Sequence, residues 1–137
     1  RRISILKMEV EELFLLMLKV GNLNATNQRL QPNTQYLVRP SSELILYLPL
    51  ASDCVTGDTV RFIDIQGNLN YNVSLKIRSE GGTNIQKTQG GTGGWSGGEL
   101  IVNTPNAGFG LMFVGDTDSS GVNTIPSDNR GWWIVEV

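Results

Sequence analysis

No histidine occurs among the 137 residues, and there is a single cysteine. The first absence removes the commonest general base, proton switch and zinc ligand together, and with it any Ser-His-Asp triad. The second forbids an internal disulfide, so passage through an oxidising compartment is not suggested. Cys54, between Asp53 and Val55 and just ahead of a polar turn, reads as a small hydrophobe and not as a catalytic thiol. Charge is scarce as well. Charged residues make up 18% of the chain and the net charge is −2, without the basic footprint that a nucleic-acid partner normally requires. Long apolar runs are missing: Leu13 to Leu18, the longest of the N-terminal region, is far short of a membrane span. Arg1-Arg2 precedes that region as an export signal would. However, Glu9, Glu11 and Glu12 interrupt it and no small-residue cleavage site follows. The expectation is a chain made in the cytoplasm and, since it starts without methionine, a piece of something longer.

What is abundant is glycine, sixteen residues of it, with very few alanines and 39% apolar residues. That balance favours strands and turns, and the length suits one domain with a sizeable core. Two hydrophobic periods divide the chain. Over residues 1–21 apolar side chains fall at Ile3, Leu6, Val10, Leu13, Met17 and Val20, in alternating steps of three and four. This is the seam of a coiled coil. The segment would be about 27 Å long as a helix, short enough to need partners. Phe14 and Leu16 broaden its apolar face, which suits three helices better than two; an amphipathic helix packed on its own domain is the alternative. Gly21-Asn22 is expected to end the helix, and 22–34 reads as a polar linker.

From residue 35 to 137 the period drops to two. Candidate strands are Tyr36–Arg39, Glu43–Leu48, Thr59–Ile65, Val73–Arg78, Leu100–Asn103, Gly108–Val114 and Trp132–Val137, punctuated by glycine and proline. Seven short strands predict an all-β head, an antiparallel β-sandwich or barrel. Thr59–Ile65 carries apolar residues on both faces, so both faces should be covered, by a second sheet or by a neighbouring subunit.

Four candidate sites follow. Gly81 to Gly98 is nearly low-complexity, with Trp95 its only aromatic beside Gly94, and Asn84 near its start. Glycines allow close backbone approach, and an indole is a platform for sugar rings or an interface; packing as a lid or against another subunit is the rival reading. No G-K-[ST] follows, which excludes a phosphate cradle. Asp116 to Asp128, containing Asp118 and Asn123, has the spacing and glycine of a calcium loop, but Ser127 stands where the bidentate glutamate belongs. A solvated hairpin loop is preferred there, with no metal and no cofactor. Trp132 and Trp133 should point to opposite faces of a strand, one into the core and the other toward a loop, a partner or water. Lastly, Asp53, Asp58, Asp64, Glu80, Glu99 and Asp116 show no spacing that singles out a catalytic pair, so the chain is not expected to be an enzyme.

The order of motifs adds a resemblance. Gly57-Asp58-Thr59-Val60-Arg61-Phe62-Ile63-Asp64 is followed by Asn72 to Ile77, Gly82 to Ile85, Leu100 to Thr104 and Gly131-Trp132. Over 35–137 this resembles a small β-domain of bacteriophage tail fibres and related virion appendages. Asn103-Thr104-Pro105-Asn106-Ala107 and Gly131-Trp132-Trp133 look like proteins of phages infecting aquatic bacteria, cyanobacteria included. The resemblance implies a homotrimeric virion protein, heptads first and β-head after, attaching to a bacterial surface glycan or protein. Its loops over Lys87–Gly98 and Asp116–Arg130 exceed the family's compact pattern. Receptor contact is therefore expected at Asn84, Gly94, Trp95, Asp118 and Asn123, and trimer contact at the six seam residues. A structural role, docking on other virion proteins as a capsid-decorating fibre or tail connector, is the alternative.

Overall fold

Alternating apolar residues bounded by turn-formers build nine strands in the computed structural model, which describes residues 19–23, 26–70, 72–80, 83–86 and 98–136. They are β1 (Lys19–Leu23), β2 (Gln28–Arg29), β3 (Thr34–Val38), β4 (Leu44–Tyr47), β5 (Thr59–Asp64), β6 (Leu75–Arg78), β7 (Glu99–Val102), β8 (Gly108–Val114) and β9 (Gly131–Glu136). One sheet has the order β1-β3-β5-β8-β9 and the other β2-β4-β6-β7.

The all-β expectation holds; the purely antiparallel one does not. β1, β3 and β5 pair in parallel, as do β2, β4 and β6. Successive strands alternate between the two sheets, so the chain coils through three rungs. Parallel neighbours need a long return connection, and here the strand of the opposite sheet supplies it. Only the last three strands, β7 on β6, β8 on β5 and β9 on β8, pair antiparallel.

The first rung also changes the N-terminal reading. Val20 and Gly21, placed in the last turn of a helix by the heptads, lie in β1 opposite Gln35 and Tyr36. Gly21 makes room there for an aromatic ring, since a Cβ would sit 2.7 Å from Tyr36 Cε1. Ile3, Leu6, Val10, Leu13 and Met17 lie outside the described residues. The sheets take in part of 22–34 as well: β2 belongs to the second sheet and Leu30 is fully buried.

Between the sheets lies one apolar cluster. Tyr36, Phe62 and Phe109 occupy registered positions on three adjacent strands and stack at centroid distances of 6.0 and 4.8 Å. Each such pair contributes about 1 kcal/mol beyond its buried area. Trp132 is 0% exposed and meets Phe113 edge-on at 5.4 Å; its buried indole N–H has no acceptor among the described residues. Trp133 is half-buried on the opposite face and donates from Nε1 to the Asn129 carbonyl at 2.9 Å. The two tryptophans thus divide between the faces as strand geometry requires.

Asp64 is the unexpected member of the core. It follows Val60 and Phe62 on the inner face of β5 and is 2% exposed. Its Oδ1 accepts from the Asn68 amide at 3.2 Å, and its Oδ2 from the amides of Leu69 and Asn106, both at 3.0 Å. One carboxylate thereby ties the turn after β5 to the turn between β7 and β8.

Candidate binding cleft

A cleft of about 600 Å³ opens at one end of the two sheets. Three local structures form its walls. The first is the turn before β5, where Asp58 Oδ2 accepts from the Val55 amide at 2.9 Å and Asp58 Oδ1 from Asn33 Nδ2 at 3.0 Å. Beside it the short 3-10 turn Ala51–Asp53 leads into Cys54. Ala51, Cys54, Val55 and Phe113 give the cleft its apolar side.

The second wall is the acidic loop. Asp118 knots it: Oδ1 accepts from the Ser120 amide at 3.1 Å, from the Ser120 hydroxyl, and from the Val122 and Asn123 amides at 3.4 Å. Asn123 Nδ2 donates to Oδ2 at 2.6 Å. The Ser120 and Asn123 side chains hold the Asp118 carboxyl well below the usual carboxylate range. A depressed carboxylate stabilises above its unfolded value and loses that contribution as pH falls through the folded one, so the knot persists until strong acid. Thr56 clamps this loop to the first wall, its hydroxyl donating to the Thr117 carbonyl and accepting from the Gly115 amide at 2.8 Å.

Thr83–Gln86 forms the third wall by docking on the start of β9. Trp132 N–H donates to the Asn84 carbonyl and Gln86 N–H to the Trp132 carbonyl, both at 2.8 Å. Gly131 permits that approach. Its φ is +120°, and a Cβ would lie 2.3 Å from the Asn84 oxygen. Glycine is thus required here on two counts.

Of the five expected contact residues, Asn84 and Asp118 line the cleft, and Asn123 supports Asp118. Gly94 and Trp95 lie outside the described residues. Both Asp118 oxygens are engaged by the loop's own donors, and among the described residues no group of three acidic, thiol or imidazole ligands gathers. The spare capacity lies elsewhere. The carboxylate of Asp116, the side-chain amide of Asn84, and the hydroxyls of Thr83, Thr117, Ser119 and Ser127 line the cleft, and their side chains have no hydrogen-bond partner among the described residues. Arg130 joins them. Its Nε donates to the Ile125 carbonyl at 2.9 Å, which leaves the rest of the guanidinium fork for other acceptors.

Neither the family models nor the curated proteins searched contain a match to this chain. The reading of the cleft therefore rests on its own chemistry.

Cys54 illustrates that chemistry. Burial first, then the Asp58 and Asp53 charges, push its thiol up to about 11. Against the ordinary value of 9.0, that leaves roughly 100-fold less thiolate at neutral pH, and thiolate is the reactive form. Iodoacetamide labelling of the folded chain is expected to be about 100-fold slower than that of an unfolded control. Equal rates would contradict the assigned environment.

Proposed function

We propose that this chain is a homotrimeric phage virion protein that attaches to the bacterial surface without catalysing a reaction, and that the cleft is where its head takes hold of a surface saccharide. The observation that carries the reading is the set of uncommitted polar groups around an apolar wall. A sugar ring presents hydroxyls at its edge and C–H groups on its faces, and sites for it combine a few fixed polar groups with an apolar or aromatic surface. Here Asp116 can accept from two neighbouring hydroxyls, Asn84 can both donate and accept, and Arg130 can donate. Phe113 and Val55 offer the apolar side.

Binding without turnover is favoured by the state of the two acidic side chains that line the cleft. Glycoside hydrolysis needs one carboxyl with a raised pKa beside a second that stays ionised. Asp118 is held in the opposite sense, and its oxygens are already occupied. Asp116 alone cannot supply both roles. The resemblance of the motif order to tail-fibre heads supports the placement on a virion, and the heptads ahead of β1 support three copies.

The test is adhesion of the fluorescently labelled full chain to a panel of bacterial strains. Asn84→Ala and Asp116→Ala are each expected to weaken adhesion about tenfold, the effect of roughly one lost charge-assisted hydrogen bond, with thermal stability unchanged. Adhesion that is indifferent to both substitutions would move the contact away from the cleft. Absence of adhesion, with stable association to other virion proteins, would favour the connector role instead.

A further inference from the structure

The outer faces of the two sheets are finished differently. On the β2-β4-β6-β7 sheet the outward side chains include three ion pairs, with Ile45 and the exposed Ile101 on either side of Lys76. Lys76 meets Glu43 at 3.3 Å, Arg78 meets Glu99 at 2.6 Å, Arg29 meets Glu80, and the Arg29 guanidinium lies 5.4 Å from the Tyr47 ring centre. Charged pairs thus predominate on this face. On the β1-β3-β5-β8-β9 sheet the corresponding positions are mostly apolar: Leu37 beside Ile63, Met112 beside Trp133, and Val135, which is 45% exposed, with Gln35 and Thr59 as polar neighbours. Arg61 is the charged side chain that β5 contributes to this outer face.

Two glycines sharpen the contrast. Gly108 and Gly110 lie on this outer face, opposite Ile63 and Arg61. The Arg61 stem and Val135 close over Gly110, whose Cβ would meet them at 3.4 and 3.6 Å. Gly108 has no such neighbour: among the described residues nothing lies within 4 Å of a Cβ built there. Its φ is not among the positive ones either. Gly108 is the first residue of β8, and a glycine there permits close approach by another backbone or ligand. The fold described here does not itself need glycine at 108.

We infer that this outer face is the contact between heads of neighbouring copies of the chain. The inference rests on the trimeric reading above. The choice of occupant comes from where the heptad segment enters the fold. It leads into β1, the edge strand of this sheet and not of the other. Helices of a coiled coil pack with axes about 8–10 Å apart, so a parallel bundle delivers three copies of β1 close to the common axis. The sheet begun by β1 is then the one beside the partners. Its apolar face is what a partner would cover, and Gly108 is where the partner backbone could come nearest.

The experiment is sedimentation equilibrium of the full chain over a range of concentrations, for the wild type and three variants. Ile63→Lys places a charge on the face. Gly108→Val adds a β-branched side chain that the strand favours but that blocks close approach. Ile45→Lys places the same charge on the outer face of the opposite sheet as a control. Ile63→Lys and Gly108→Val are each expected to weaken association at least tenfold, while Ile45→Lys leaves it unchanged and Gly108→Val retains wild-type thermal stability when dilute. A trimer equally tight in all four proteins would overturn the inference and leave the trimeric reading standing. A dimer sensitive to Ile63→Lys would do the reverse. Loss of stability in Ile63→Lys at an unchanged, concentration-independent mass would also overturn it, because the face would then be covered by the chain's own N-terminal segment. A wild type that stays monomeric throughout would refute both.

Discussion

Asp64→Ala is expected to destabilise the fold by ~3–5 kcal/mol, a large share of the total for a domain of this size. The substitution removes the side-chain acceptor shared by the amides of Asn68, Leu69 and Asn106. The carboxylate is buried, so water does not readily replace it, and each orphaned donor costs about 1–3 kcal/mol. The two turns it joins are far apart in sequence and depend on it together. Asp64→Asn should cost less, about 1–2 kcal/mol, because an amide oxygen at the Oδ2 position still serves Leu69 and Asn106. Urea unfolding with amide exchange at those three residues measures both effects. A change below about 1 kcal/mol for Asp64→Ala would mean that the clamp is not what holds the turns.

The second large effect is expected at Arg78. It lies opposite Glu99 across β6 and β7, with side-chain exposures of 17% and 3%, and its Nε donates to Glu99 Oε2 at 2.6 Å. The bond to Glu99, followed by the contact with Tyr47, keeps the guanidinium above its already high ordinary value. A raised cation contributes fully below its unfolded pKa and is lost only above the folded one, so the Arg78 guanidinium stays charged throughout the neutral range. Arg78→Ala leaves a sealed carboxylate without its counter-charge, and should cost about 3–5 kcal/mol. The double variant Arg78→Met with Glu99→Leu removes both charges and should recover most of that loss, since buried pairs are often matched by apolar residues of similar volume. A double variant as unstable as Arg78→Ala would show that the pair does more than neutralise itself.

Much of this fold is legible in the sequence, and what is not has definite physical causes. Period-two alternation bounded by glycine and proline locates β3 to β9 to within a residue or two, and Gly108–Val114 falls on β8 itself. The topology is hidden, because alternation reports which face of a strand is buried and not which sheet it joins. Connections such as Pro40-Ser41-Ser42 carry the chain across to the other sheet, where a hairpin turn would have returned it to the same one. β1 was masked by coincidence. Val20 fits a step of the heptad, and Gly21 reads as a helix terminator although its role is to admit the Tyr36 ring.

The cleft was half visible. Asn84 and Asp118 stand on loops that composition marks as exposed, and both reach it. Asp118 drew attention through its calcium-like spacing, yet the same short-range spacing lets its own loop consume both oxygens. Asp116 stands out in the sequence only as part of a calcium-like loop and Arg130 not at all, because the value of both comes from what does not bind them, and no sequence pattern states that. Asp64 was recognised within a motif, but its partners lie on two separate turns that only the folded chain brings together.

The central claim is that the cleft binds a saccharide through its uncommitted groups. It is tested most directly by backbone amide NMR of the full chain titrated with methyl glycosides of glucose, galactose and mannose. The account predicts that at least one glycoside shifts the resonances of Asn84, Asp116, Ser119, Ser127 and Arg130 together, and that Asp116→Ala abolishes the response. Saturable shifts confined to another part of the surface, or none with any glycoside or with polysaccharide extracted from cells to which the chain adheres, would contradict it.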